Sequence, residues 1–183
     1  DNLAVAKVQG AVAATLIEDG DMIIYVTGSQ AQSTGQDRRN GFLAGFTAAR
    51  PNSQVLEVPT EWNSEQAQVG VEALLNQNSD VKMIVHAWDG GTMASVAALT
   101  NLGYGPGDVK LVGFDGASDA IAAMDQGWVH ANTAQMLYQM GYQGIRAAAA
   151  AARGEPVAAR IDTGFFLVTP ATSGVYKQMV GIQ

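Results

Sequence analysis

The chain has 183 residues but no cysteine, and few of its residues are charged. The absence of cysteine excludes disulfide bonds, zinc–thiolate sites and thiol nucleophiles together. It is compatible with an oxidising compartment, although many cytosolic domains also lack cysteine. Basic residues are scarce too, since 10 Lys and Arg face 17 Asp and Glu and give a formal charge of −7. Because phosphate backbones are bound by clustered Lys and Arg, this balance argues against a nucleic-acid partner.

Long hydrophobic runs are missing as well. No stretch approaches the ~20 apolar residues that a membrane-spanning helix needs. No signal peptide precedes the first helical pattern, so we expect either a processed form or a piece of a longer protein. Apolar residues make up 48% of the chain, enough to bury the core of one domain or slightly more.

Helical patterns and short apolar runs alternate along the chain. The predicted strands are residues 22–26, 54–58, 82–87, 109–114 and 128–134. This alternation predicts a three-layer, doubly wound α/β fold with a mostly parallel sheet and right-handed crossovers. The pattern then predicts a long helix over 136–153, an extended segment over 161–169 and a short helix near 171–177.

The stretch VKLVGFDGASDAIAAMDQ, residues 109–126, carries the clearest functional signal. Its apolar run ends at Asp115, and a helical pattern follows within a few positions. Such a run is typical of a parallel strand buried on both faces, and open α/β folds contact ligands at the carboxyl ends of these strands. Asp115 therefore either caps the next helix or faces a cleft.

Planar and polar side chains follow the other predicted strands too. In chain order, the side chains at the strand ends are Gln36, Trp62, Trp88 with Asp89, Asp115 and Gln135. We expect them to converge, because the carboxyl ends of parallel strands meet at one edge of the sheet. Aromatic rings suit the C–H faces of a sugar, and carboxylates and amides bond its hydroxyls. The alternative for each tryptophan is packing beneath a loop.

Catalytic and metal-binding motifs are weak by comparison. The chain has no P-loop and no G-x-S-x-G elbow. His86 and His130 have neither cysteine partners nor HExxH spacing, so we expect no metal site and no cofactor. Asp89 and Asp115 leave open a carboxylate pair of the glycosidase type, which requires both in one cleft. Aspartate is also common as a helix cap after a strand. We therefore expect that the protein is not an enzyme.

Four motifs make the chain resemble the type I periplasmic solute-binding proteins of ABC importers, in their ribose/galactose-binding branch. They are LVGFDGASDAIAAMDQG (111–127), ANTAQ (131–135), GEPV (154–157) and IDTGFFLVTP (161–170). The resemblance runs over essentially the whole chain. It implies a two-lobed clamp with three crossovers between its lobes, which closes about a hinge around a sugar-like ligand.

The resemblance also implies roles for individual residues. Asp115 resembles the family's hydroxyl-binding aspartate, Gln135 its hinge-proximal glutamine and Trp62 its stacking aromatic. Gln36 stands where ribose binders place an arginine, and Trp88 stands where they often place an asparagine. This comparison implies a site that has lost one charged donor and gained a ring, with a flatter or less hydroxylated ligand than ribose.

Family members begin with a whole lobe that this sequence lacks. The resemblance implies that residues 1–135 and 166–183 form the second, C-terminal lobe. The segment 136–165 would belong to the otherwise missing first lobe and would expose an apolar helix face. We expect a periplasmic or lipid-anchored extracytoplasmic protein that binds a small neutral sugar or polyol and delivers it to an ABC permease.

Two alternatives stay open. The effector-binding core of LacI-type transcription regulators resembles the same fold and carries the GFDG run too, but needs a DNA-binding headpiece and a dimerising face. An enzyme of flavodoxin-like or Rossmann type is the other alternative. The absence of a phosphate loop, a nucleophile elbow and a metal cluster argues against that enzyme.

Overall fold

Helices and strands alternate along the chain in the computed structural model, which describes residues 1–182. The helices are α1 (Asn2–Ala14), α2 (Ser33–Ala49), α3 (Ser64–Gln77), α4 (Asp89–Asn101), α5 (Ser118–Asp125), α6 (Leu137–Ala152) and α7 (Ser173–Val180). The strands are β1 (Met22–Val26), β2 (Gln54–Val58), β3 (Val81–His86), β4 (Lys110–Asp115), β5 (Val129–Gln135) and β6 (Phe165–Val168).

A single six-stranded sheet organises these elements in the order β2-β1-β3-β4-β5-β6. The first five strands are parallel, and β6 pairs antiparallel with β5. The predicted doubly wound α/β fold is therefore confirmed. In this strand order the connections change direction between β1 and β3, and a switch point of this kind opens a crevice at the carboxyl ends of the strands.

The two faces of the sheet bury separate clusters of apolar side chains. Ile24 and Ile84 contribute to the cluster beneath α3, α4 and α5. Their neighbours Ile23 and Met83 point the other way and join Phe42 beneath α1 and α2. Because successive strand residues face opposite sides, a strand covered on both faces must be apolar throughout. This is why the central strands were visible as continuous runs.

Helices α1 and α2 pack backbone against backbone. A Cβ atom built on Gly41 would lie 2.3 Å from the carbonyl oxygen of Leu3, and one on Gly45 would lie 2.0 Å from that of Lys7. Only glycine permits so close an approach. The contact brings the middle of α2 against the first half of α1.

Helix α6 differs from the other helices, because none of its residues is buried. Tyr138 and Ile145 expose 76% and 74% of their surface, and Leu137 is nearly as open. An isolated helix with an apolar face normally packs it against another element. The assignment of residues 136–165 to a further lobe stays a prediction. Among residues 1–182, no helix has the length and apolar character needed to cross a membrane.

Candidate functional site

A cavity of about 320 Å³ lies over the carboxyl ends of the central strands, at the switch point of the sheet. Its walls are formed by Gln32, Thr34, Arg38, Trp62, Trp88, Asp115 and Gln135. Four of the six residues that the sequence singled out therefore meet at one opening. The structure shows this convergence, and their role in binding stays a prediction.

Asp115 presents its carboxylate to the cavity rather than to a helix. Its Oδ1 accepts hydrogen bonds from Arg38 Nη1 at 3.0 Å and from Gln135 Nε2 at 2.6 Å. Its Oδ2 has no hydrogen-bond partner among the described residues, and 29% of the side chain is exposed. Helix α5 begins after Ala117 without any side-chain cap. Of the two roles open to Asp115, the structure selects the one that faces the cleft.

The backbone at Asp115 is strained. Its φ of 111° lies in the left-handed region, which residues with a side chain rarely adopt. Such a conformation costs about 1–3 kcal/mol and persists only where the surroundings enforce it. Strain of this kind is frequent at binding and catalytic sites.

Arg38 is the principal residue that sequence reasoning missed. It is buried, and besides Asp115 it donates to the carbonyl oxygen of Ala87 at 2.5 Å and to Asn2 Oδ1 at 3.1 Å. Its guanidinium lies 3.9 Å from the centre of the Phe114 ring, a cation–π contact. The expectation that the site has lost a charged donor is therefore wrong, because Arg38 supplies one.

Gln36 does not reach the opening. It is exposed on α2, and its Nε2 donates to the carbonyl oxygen of Gln30 at 2.8 Å. Side chains two residues apart on a helix point about 200° away from each other around its axis. Arg38 therefore faces inward and Gln36 faces outward. The helical spacing of four between Arg38 and the buried Phe42 is the sequence signal that could have placed Arg38 on the inner face of the helix.

Trp62 and Trp88 form an apolar corner. Their ring centroids are 5.5 Å apart and their planes meet at 87°, an edge-to-face arrangement. Both indoles are only partly buried, so neither is sealed beneath a loop. Trp62 has a positive φ of 60°, and its Nε1 donates to Gln32 Oε1 at 2.8 Å. Its ring lies directly over Gly28, where a Cβ atom would be 2.0 Å from the indole.

Asp89 occupies the interior and not the opening. Its carboxylate accepts from the backbone nitrogens of Ala117 at 2.8 Å and Phe114 at 3.2 Å, and from Asn132 Nδ2 at 2.8 Å. Burial raises the pKa of Asp89 to about 7, and the hydrogen bond from Ala117 opposes that rise. The prediction that Asp89 lines the cleft is wrong, because only 3% of it is exposed. For the same reason it does not form an open carboxylate pair with Asp115.

His86 forms hydrogen bonds within the interior of the domain. His86 is fully buried, and its Nδ1 lies 3.0 Å from the carbonyl oxygen of Val112 and must therefore donate to it. Its Nε2 accepts from Ser95 Oγ at 2.7 Å, and burial lowers the pKa of His86 to about 4. Within the described residues, no group of three or more His, Asp or Glu side chains is arranged to hold a metal ion.

A second cavity, of about 350 Å³, adjoins the first at Gln135. Three passages of the chain meet around it: residues 1–2 at the start of α1, Gln135 at the end of β5, and residues 161–165 before β6. Gln135 and Phe165 are paired neighbours in the sheet. The chain therefore leaves and re-enters the sheet at one place.

The fold and the opening together define a class, namely a doubly wound α/β domain with a cleft at the switch point of its sheet. The periplasmic binding protein domain is the family whose model matches the chain, over residues 1–156. The chain belongs to this family. The resemblance to type I periplasmic sugar-binding proteins, inferred from four motifs, is confirmed.

Individual relatives are similar over most of the chain. The ribose import binding protein of Escherichia coli strain K12 is 27% identical over 168 residues, which are 92% of this chain and 56% of that protein. The D-allose-binding periplasmic protein of the same strain is 29% identical over 147 residues, 80% of this chain and 47% of that protein. The chain spans about half the length of the curated relatives it matches.

A solved structure shows the same architecture. It is a carbohydrate transporter solute-binding protein from Agrobacterium radiobacter in complex with D-arabinose, with a TM-score of 0.87 and 25% sequence identity. The match covers 100% of this chain and 64% of that one.

Proposed function

We propose that the protein carrying this chain captures a small neutral sugar or polyol outside the cytoplasm and delivers it to the permease of an ABC importer. One observation carries the proposal: Asp115, whose Oδ2 has no hydrogen-bond partner among the described residues, lines a cavity together with the apolar corner of Trp62 and Trp88. The names of the relatives, which are import and periplasmic binding proteins, support binding rather than catalysis. They do not favour a LacI-type regulator.

The geometry suits a neutral ligand. Arg38 and Asp115 lie 3.0 Å apart and cancel each other's charge. A ligand hydroxyl donates to Asp115 Oδ2, while hydrogen bonds from Arg38 and Gln135 hold the other carboxylate oxygen in place. Hydrogen bonds to charged groups contribute about 1.5–3 kcal/mol each. An apolar face of the ligand packs against one of the two indoles, and a micromolar affinity of about −8 kcal/mol is within reach of such contacts.

The division into lobes is part of the proposal. Residues 1–135 and 166–183 belong to the lobe with the cavity, and residues 136–165 contribute to a further lobe. The unburied α6 and the partial coverage of the relatives support this division. The hinge then lies where Gln135 and Phe165 pair, and ligand contacts favour the closed state over the open one.

The proposal is tested by calorimetry on the complete protein that carries this sequence, titrated with D-ribose, D-allose and D-arabinose. We expect saturable binding of at least one sugar, and its loss in Asp115→Ala. Asp119→Ala removes a nearby exposed carboxylate and serves as the matched control. Unchanged affinity in Asp115→Ala removes that residue from the site. Turnover of a sugar without saturable binding contradicts the proposal and favours an enzyme.

A further inference from the structure

We propose that Asp89 and Tyr176 are positioning residues, which hold the turn Asp115–Ala117 from two different helices and so fix the direction of the Asp115 carboxylate. The inference rests on the proposed function, because Asp115 is taken as the ligand-binding group. Neither residue touches the cavity that Asp115 faces. Both act on the ligand only through the turn.

The turn needs external support. Asp115 and Gly116 both have positive φ angles, 111° and 79°, so the chain passes through two successive left-handed conformations. Gly116 adopts this region freely, but Asp115 does not. Helix α5, which follows the turn, supplies no side-chain cap that would hold it. Contacts from other elements must therefore keep Asp115 in its strained conformation.

Asp89, at the first position of α4, holds the turn at both of its ends. Its Oδ1 accepts from the backbone nitrogen of Phe114, before the turn, and its Oδ2 accepts from that of Ala117, within it. Asn132 Nδ2 and Thr92 Oγ1 also donate to Oδ1. The backbone nitrogens of Phe114 and Ala117 and the Asn132 amide nitrogen can only donate, so the position requires a group that accepts at both of its ends. A carboxylate meets that requirement and an amide does not.

Tyr176 holds the turn from the side of α7. Its hydroxyl donates to the carbonyl oxygen of Gly116 at 2.9 Å, and the residue is buried. A Cβ atom on Gly116 would lie 2.3 Å from the Tyr176 oxygen and 2.4 Å from the Cβ of Ala134. The turn is thus in contact with α7, with β5 and with Asp89 of α4. Losing either contact lets the strained backbone of Asp115 relax, which shifts its carboxylate even though Arg38 and Gln135 still bond it.

The first test is Asp89→Asn in the complete protein. The asparagine side chain has the same shape, but its NH₂ group must face either the Ala117 N–H or the other three donors. We expect the NMR signal of the Ala117 amide to shift and its exchange protection to fall, while amides in β1 and β3 keep theirs. We expect the affinity for whichever of D-ribose, D-allose and D-arabinose binds to fall at least about tenfold. Asp119→Asn, an exposed carboxylate near the turn, leaves both readouts unchanged.

Tyr176→Phe is the second variant, and it keeps the ring while removing one hydrogen bond. We expect the affinity to fall about threefold, with a shift of the Ala117 amide signal. Because both residues act on one turn, the double variant loses less than the product of the two single losses. If Asp89→Asn does not fold, the proposal is decided by the affinity of Tyr176→Phe and by the exchange protection of the Ala117 amide in the wild type. Normal affinity in Tyr176→Phe, or an unprotected Ala117 amide in the wild type, overturns the proposal.

The same measurements separate this proposal from the proposed function. If the wild-type protein binds none of the three sugars, the function fails in the form tested, but the Ala117 amide still reports on the clamp. If the sugar binds and Asp89→Asn folds with unchanged affinity, the function stands and the clamp is overturned.

Discussion

Arg38 joins more parts of the site than any other single residue described above. It links α2 to the start of α1 through Asn2, to the end of β3 through Ala87 and to the end of β4 through Asp115. A guanidinium presents its donors in a fixed planar fork, which suits three acceptors in different directions. A lysine ammonium at the same place cannot reach all three.

We therefore expect Arg38→Lys to weaken both the fold and the site. The free energy of unfolding should fall by about 1–3 kcal/mol, because buried acceptors lose their donor, and sugar affinity should fall with it. Urea denaturation and calorimetry measure the two effects. The matched control is Arg39→Lys, next in the chain, where a partly exposed ion pair with Glu57 is worth about 0–1 kcal/mol. Equal losses in both variants would contradict the central role of Arg38.

At the scale of single residues, the sequence predicted which side chains at strand ends reach the cavity better than it predicted which side chains of α2 do. Trp62, Trp88, Asp115 and Gln135 reach the opening because each closely follows or ends an apolar run, which fixes its position. Arg38 and Gln36 lie two residues apart on one helix, and only the phase of that helix separates them. Asp89 follows its strand closely too, but hydrogen bonds from backbone nitrogens hold its side chain in the interior. No sequence pattern predicts those contacts.

Among the secondary-structure elements, α1 and α2 make the tightest contact, through their glycines. Substituting Gly45 by alanine would push a methyl group against the Lys7 carbonyl oxygen, so the helices must separate. We expect Gly45→Ala to lower the free energy of unfolding by about 1–3 kcal/mol in urea denaturation. Because Arg38 and Asn2 lie across this interface, sugar affinity should fall as well.

The control for this prediction comes from α6. A Cβ atom on Gly141 would meet nothing within 4 Å. Alanine is the better helix former by about 0.5–1 kcal/mol, so Gly141→Ala should stabilise the chain. Destabilisation of similar size in both variants would mean that the close contact between α1 and α2 is not the cause.

The bounds of the elements could largely be read from the sequence. The first two strands begin and end as predicted, and the next three differ by about one residue, because buried parallel strands are short, apolar and bounded by polar loops. The direction of β6 could not be predicted. An extended segment carries no mark of whether it pairs parallel or antiparallel, and β6 takes its direction from its partner, β5.

On the scale of the whole molecule, α6 offers the sharpest test of the proposed division into lobes. If its apolar face packs within a further lobe, Ile145→Ser should destabilise the complete protein by about 2 kcal/mol or more. In the 183-residue chain alone, where Ile145 is exposed, the change should stay within about 0.5 kcal/mol.

Val69→Ser is the companion variant for that experiment. Val69 is exposed on α3, in the lobe that carries the cavity, and should be neutral in both forms of the protein. Thermal denaturation of the two forms, side by side, gives the comparison. The same small effect of Ile145→Ser in both would contradict the assignment of residues 136–165 to another lobe.

The contact between Arg38 and Asp115 has a kinetic consequence. Two opposite charges 3.0 Å apart largely cancel each other's field at distances much longer than their separation. An uncharged ligand reaches the cavity by free diffusion, and neither long-range attraction nor counterions change its association rate. The rate of capture should accordingly be nearly the same in dilute and in saline surroundings.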